Sequence, residues 1–285
     1  MTSRVAHPAR AGAGPRWRRL ALPAAGLAAA LLWSAAGTGF RPWVLARPEA
    51  LAGAVAFVRG MLPPDLSPAY LRAVGWAALQ TLAISAVSTL LAAGLGLALG
   101  LLAVDPRLHG GLLAPPQSAR AAWGARLLLY YVSRAALGVL RSIPELFWAL
   151  VFVVAIGLGP FPGVLALGLH TAGVLGKLYA EVVEVLDPRP LEALKAAGAS
   201  RAGVLLYGAL PQMLPAGVSY TLYRWEINIR EASVLGFVGA GGLGYELYVR
   251  MNLFHTQQLA TLVLAVFVLV TLVDAASAAI RRRLA

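Results

Sequence analysis

Two arginines and two glutamates, Arg224, Glu226, Arg230 and Glu231, stand within eight residues of one another in a chain that is only 13% charged. In apolar surroundings ionisable groups are costly, and they face a partner or an aqueous cavity. Glu226 and Arg230 are four apart, a spacing that lets one helix face pair them, which leaves Arg224 to meet an anion. Arg224 or Arg230 could therefore favour passage of a small anion; an internal structural ion pair is the competing reading. His170 and Lys177 are seven apart, on nearly the same helical face. A place on the same path competes with a helix–helix hydrogen bond for His170 and a snorkelling stem for Lys177. Glu145 and Asp274 read as interfacial or paired.

Other chemistries are poorly served. Gly239-Ala240-Gly241-Gly242-Leu243-Gly244 satisfies the Gly-x-Gly-x-x-Gly spacing of dinucleotide sites. It follows an apolar run, opens no βαβ unit and has no acidic residue about 20 positions on. It reads instead as a gate loop of Gly239, Gly241, Gly242 and Gly244, where glycine permits close chain approach and rearrangement; close packing alone is the alternative. The Gly176-Lys177 pair continues into Leu178, so the sequence holds no phosphate-binding P-loop. Any ATP is used by a partner, and no cofactor is expected on this chain. Cysteine is absent, and the four histidines (His7, His109, His170, His255) form no catalytic or metal-ligating cluster. Glu181 and Glu184 have no histidine at ligand spacing and read as a solvated helix end.

The elements that must carry these residues are helices in a membrane. The chain has 285 residues, 59% of them hydrophobic. Uncharged runs at 20–40, 73–104 and 251–273 are each long enough to cross a bilayer core, which takes about 20 helical residues. The pattern predicts an all-α, polytopic bundle of about six transmembrane helices. A basic N-terminus (1–19) precedes a first span at 20–40; a cleaved signal peptide is the alternative. Residues 41–74, broken by Pro42, Pro48, Pro63, Pro64 and Pro68, form an external segment with a short interfacial helix at 50–58. The core (75–280) holds spans near 75–103, 121–158, 164–183, 213–232 and 256–280, and a basic tail (281–285) follows. Glycines 94, 96 and 100 offer small faces for close helix approach. The third span is too long for one crossing, so its first part should lie at the cytoplasmic face, with a bend at Pro144. Six spans put both termini on one side, and the excess of Lys and Arg in that side's segments marks it as cytoplasmic. The +12 net charge is thus topological rather than a nucleic-acid signature.

Between the fourth and fifth spans stands Pro190-Leu191-Glu192-Ala193-Leu194-Lys195-Ala196-Ala197-Gly198-Ala199-Ser200, followed by Leu210-Pro211. Leu191, Leu194 and Ala197 give a short helix one apolar edge, Gly198 ends or turns it, and Pro211 fits the first turn of the next helix. An ordinary amphipathic loop helix is the bland alternative. The segment resembles the coupling loop of ABC import permeases in Glu192, Ala193, Gly198, Leu210 and Pro211. Two departures are Leu194, where the pattern has a second alanine, and Gly208, where an aliphatic residue is usual.

Further blocks, Arg141-Ser142-Ile143-Pro144-Glu145-Leu146, Leu169-His170-Thr171-Ala172-Gly173 and Tyr220-Thr221-Leu222-Tyr223-Arg224-Trp225-Glu226, are similar to the membrane subunits of phosphonate importers. The resemblance covers roughly residues 125–280. It implies a multi-pass protein of the bacterial inner membrane that acts as an import permease and pairs with a second copy. It also implies a cytoplasmic ATP-binding cassette subunit and an external phosphonate-binding protein that makes the main selection. Phosphite, phosphate or another small solute could use the same pore. A stand-alone secondary transporter would need internal repeats and a coupling-ion site, which the sequence does not display.

Overall fold

The computed structural model describes residues 16–108 and 120–284. The basic residues before position 16 and the Pro115-Pro116 part of the expected polar loop lie outside that range. Eleven helices follow one another among the described residues. They are α1 (Arg16–Gly37), α2 (Pro48–Gly60), α3 (Pro68–Leu102), α4 (Arg120–Ser142), α5 (Glu145–Ile156), α6 (Pro160–Glu184) and α7 (Pro188–Ala196). A single turn α8 (Arg201–Gly203), then α9 (Leu210–Leu235), α10 (Gly242–Asn252) and α11 (Thr256–Leu284), complete the chain.

Residues Met1–Arg59 and Gly60–Ala285 are separate compact units. In the first, α1 and α2 are joined by a 3-10 turn (Pro42–Ala46), and α2 presents an exposed apolar surface at Leu51, Val55, Phe57 and Val58. The short helix expected at 50–58 is present as the slightly longer α2.

In the second unit, α3, α6 and α11 are each long and apolar enough to cross a membrane, and α4 with α5, bent by 89° at their break, has the length and composition of a broken span or a re-entrant loop. At 1.5 Å per residue α3 is about 52 Å long, starting seven residues before its expected position. The break falls at Ile143-Pro144, because proline cannot donate an amide hydrogen and forces the preceding residue out of the helical region. Helix α9 has span length but carries the four charged residues of the opening pattern. Helix α10 lies between the fifth and sixth expected spans, where no element was expected.

The unit differs from a soluble protein in its exterior, where Trp76, Leu90, Val154, Phe267 and Leu272 are exposed. Its interior is largely apolar but also buries Thr81, Ser85, Ser88, Thr171, Asn228 and Ser277. An apolar exterior is what a lipid solvent selects. Helices α3 and α6 pack most extensively. A Cβ on Gly100 would stand 2.7 Å from the carbonyl oxygen of Gly176, and one on Gly96 would stand 3.0 Å from its amide nitrogen. Two of the glycines expected to permit close approach therefore do so, and against a third glycine.

The ends are clamped. The Arg126 guanidinium donates to the carbonyls of Leu101, Leu102 and Val104, and Arg134 donates to that of Ala103 while pairing with Glu184. Two cations from α4 thus satisfy the unpaired carbonyls at the C-terminus of α3, where the helix dipole favours positive charge. At the opposite end Asp65 ties the start of α3 to α11: Gln258 donates to its carboxylate and Thr261 to its carbonyl.

Candidate functional site

The interior of the second unit contains a polar network made by three helices. Asn228 on α9 donates to Thr89 on α3 at 2.8 Å and accepts from Thr171 on α6 at 2.9 Å, and Arg224 donates to the Thr171 hydroxyl at 3.3 Å. Trp225 reaches Ser85 on α3 at 3.3 Å. Asn228 is 0% exposed and Arg224 9%, so this is a core that discriminates by hydrogen bonding rather than by shape alone. Apart from Arg224, none of these residues stands out in the sequence as a site candidate. Their signal was present: Thr81, Ser85, Ser88 and Thr89 repeat at helical spacing inside the uncharged run 73–104, placing hydroxyls on one face of α3.

The charged residues of α9 go to three different places. Arg224 stands 3.6 Å from Glu231, Glu226 pairs with Arg281 on α11, and Arg230 stands 3.4 Å from Asp274 on α11. The expected Glu226–Arg230 pair does not form, because α11 supplies each with a partner of opposite charge at shorter reach. His170 donates from Nδ1 to the Ile143 carbonyl, 3.0 Å away, and its Nε2 is 3.9 Å from Glu145. It therefore braces both sides of the α4–α5 break. Since a carbonyl can only accept, Nδ1 carries the hydrogen. Lys177 pairs with Glu181 at 3.3 Å. The groups thus assemble as two clusters, Arg224–Glu231–His170–Glu145 facing α5 and α6, and Glu226 with Arg230 facing α11.

The glycine block forms a tight turn between α9 and α10. Gly239, Gly241 and Gly242 have φ of 92°, 80° and 70°, in the left-handed region that glycine adopts without strain. A Cβ on Gly244 would collide with the backbone of Ser233. The first amides of α10 are capped from α3: Gly242 N–H donates to Gln80 and Leu243 N–H to Thr81, both at 2.8 Å. Here the glycines serve close approach, and their turn is tied to the same α3 face that bears the polar network.

At the other end of α6 lies the segment between the fourth and fifth spans. Asp187 caps α7 by accepting from the Arg189 amide at 3.0 Å. Gly198 ends it with φ of 85°, its amide donating to the Lys195 carbonyl at 2.9 Å, a left-handed helix stop. Leu191 is buried against Val204 and Ala209, with Leu194 and Leu205 around them, while Glu192, Ala193 and Ala197 are exposed. The apolar edge thus consists of Leu191 and Leu194; Ala197 falls past the helix end. Between α8 and α9 residues Val204–Ala209 form a π-helical segment. A Cβ on Gly208 there would stand 2.7 Å from Leu191 and 2.9 Å from Leu194. The two departures from the coupling-loop pattern therefore touch: the larger Leu194 occupies space that Gly208 leaves open.

Among the described residues the chain is thus a helical membrane bundle with an exposed, capped helix between two spans and a buried polar network. Residues 120–285 match the family of binding-protein-dependent transport system inner membrane components, and the chain belongs to that family. It is 46% identical over 155 residues to the phosphite transport system permease protein PtxC of Stutzerimonas stutzeri, covering 54% of this chain and 56% of that one. It is 38% identical over 208 residues to the phosphate-import permease protein PhnE of Mycolicibacterium smegmatis, covering 73% and 36%. The matched stretch thus spans about half or less of these relatives' length. The fold resembles that of a chain of the MetNI methionine ABC transporter in an inward-facing conformation. The TM-score is 0.64 at 22% identity, covering 77% of this chain and 100% of that one.

Proposed function

We propose that this chain is the membrane-spanning permease subunit of an ATP-driven importer for phosphonate or a related small oxyanion such as phosphite or phosphate. The single observation that carries the reading is α7. It is an exposed helix, capped at both ends, wedged by Leu191 against the π-helical segment that leads into α9, the helix bearing Arg224 and Asn228. A push on Glu192 and Ala193 from a cytoplasmic partner would reach the buried polar network through one continuous stretch of helix. Both termini would then be cytoplasmic. The coupling residues are Glu192, Ala193, Gly198, Leu210 and Pro211; the pathway residues are Arg224, Glu226, Arg230 and His170; Gly239, Gly241, Gly242 and Gly244 form the gate turn. The partners are a second permease copy, a cytoplasmic ATP-binding cassette subunit that uses the ATP, an external phosphonate-binding protein and the surrounding lipid. The names of the relatives support the substrate class, because they concern phosphite and phosphate.

Co-expression with the cognate ATPase and binding protein, followed by reconstitution into vesicles, tests this. ATP-dependent accumulation of phosphite, methylphosphonate or phosphate is expected. Uptake that proceeds without the ATPase, driven by an ion gradient, would overturn the reading in favour of a secondary transporter.

A further inference from the structure

The pathway residues named above all have protein partners, whereas a different cation, Arg141, has none among the described residues. It sits at the end of α4, immediately before the 89° break. Helix α4 runs antiparallel to α6: Arg134 pairs with Glu184, Leu137 meets Gly176, and a Cβ on Gly173 would lie within 3 Å of the backbone of Arg141. Gly173 is the fourteenth of the 25 residues of α6, a helix about 37 Å long, so the Arg141 backbone stands close to the level of the bilayer midplane. Yet Arg141, Ser142 and Pro144 are exposed on this chain. A free guanidinium facing hydrocarbon costs at least about 2.5 kcal/mol at that depth. Broken backbone there is tolerated only against protein or a water-filled cavity. The surface at the break therefore faces water or the second permease copy proposed above, and the charge along it favours water.

Both helices line that water with charge. On α6, His170, Gly173, Lys177, Glu181 and Glu184 follow steps of three and four and share one face. On α4, Arg134 and Arg141 are seven apart and face them. Between the helices lies a cavity of about 70 Å³, lined by Arg134, Arg141, Lys177 and Glu181 over a floor that includes Leu137 and Gly138. A single water needs roughly 10–15 Å³ of such space, so the cavity has room for a group of several heavy atoms. Glu184 is taken by Arg134 and Glu181 by Lys177. The five charged groups therefore sum to +1, and the uncompensated charge is that of Arg141.

We propose that this α4–α6 seam is an oxyanion-binding site, in which a phosphorus oxyanion bridges Arg141 and Lys177 on the inner half of the translocation path. The Arg141 fork grips two oxygens in parallel, while Lys177 turns from Glu181 to the ligand as a mobile point charge. The proposal rests on the permease reading and adds the place where the substrate dwells below the α4–α5 break. Glu181, half-exposed beside Lys177, is the competitor that lets the anion leave again.

The test uses the reconstituted complex and the purified permease, with phosphite, methylphosphonate and phosphate as probes. Binding is read by calorimetry on the permease and transport by uptake. Arg141→Gln and Lys177→Gln should each weaken oxyanion binding about tenfold or more, since each removes a charge-assisted hydrogen bond. Arg141→Lys should recover part of it, and the thermal unfolding midpoint should stay near that of the wild type. Wild-type binding and uptake in both Gln variants would overturn the seam while leaving the importer intact. If Arg141→Gln fails to accumulate in membranes, Lys177→Gln decides alone, because Lys177 is half-exposed and its removal leaves the helix contacts untouched. A wild-type complex that transports none of the probes overturns the functional reading; a wild-type permease that binds none of them overturns the seam.

Discussion

Asn228 is the residue on which the interior depends most. Its amide uses both ends, donating to Thr89 and accepting from Thr171, and so ties α9 to α3 and α6 in one register. Asn228→Leu removes both bonds, leaving the Thr89 hydroxyl with the Ser85 carbonyl and the Thr171 hydroxyl with Arg224. Polar contacts between membrane helices are worth about 0.6–1.7 kcal/mol each by double-mutant cycles, so a loss of about 1–3 kcal/mol is expected. Thermal unfolding in detergent would measure it, and an unchanged midpoint would show that the network is incidental. The polar face of α3 was legible in the sequence as Thr81, Ser85 and Thr89. Its partners were not, because burial within a bundle depends on which face of α6 turns inward. For the same reason the arginines of α9 could be found by type and spacing but not paired: Asp274 and Arg281 lie more than forty residues away. Local spacing pointed to a Glu226–Arg230 pair, and tertiary contact with α11 redirected both.

Among the elements, α3, α6 and α7 differ in what determines their position. The α3–α6 pair approaches through glycine, and Gly100→Leu would drive a side chain into the Gly176 backbone. Overpacking of this kind costs about 1–3 kcal/mol or more, and loss of assembled protein from the membrane fraction would report it; normal assembly would mean that the helices can separate without consequence. For α7, Leu194 and Gly208 form a matched pair of sizes. Gly208→Leu should disrupt docking of α7 and reduce uptake, and adding Leu194→Ala should restore much of it. A double-mutant cycle reads the coupling directly, and additive effects would show that the two positions are independent. The location of α7 was legible, because Glu192, Ala193 and Gly198 hold their spacing regardless of the surrounding fold. Helix α10 was not: its sequence lies beyond a glycine turn, and its amides are capped by Gln80 and Thr81, residues more than 150 positions earlier.

At the scale of the whole molecule, the second unit is a bundle around a buried polar network, held at each end. The Arg126 and Arg134 clamp closes α3 beside the segment that precedes α7, and Asp65 ties it to α11 at the other end. Arg126→Ala leaves the carbonyls of Leu101, Leu102 and Val104 without that donor and should loosen this end alone. Faster hydrogen exchange confined to the last turn of α3 is expected, and exchange spread evenly through the helix would contradict it. The π-helical segment between α8 and α9 has one more consequence. A π turn accommodates an extra residue in the space of an ordinary one, so Val204–Ala209 is equivalent to a one-residue insertion that the helix has absorbed. One α-helical residue corresponds to about 100° of rotation. Deleting a single residue there would let the stretch relax to α-helix with α7 and α9 still in register, whereas inserting a further residue would turn α7 about the α9 axis by roughly that angle. The segment acts as a gear tooth: its residue count fixes the direction in which Glu192 points. A chain lengthened there by one residue should fold and insert, yet lose ATP-dependent uptake, while the shortened chain keeps it.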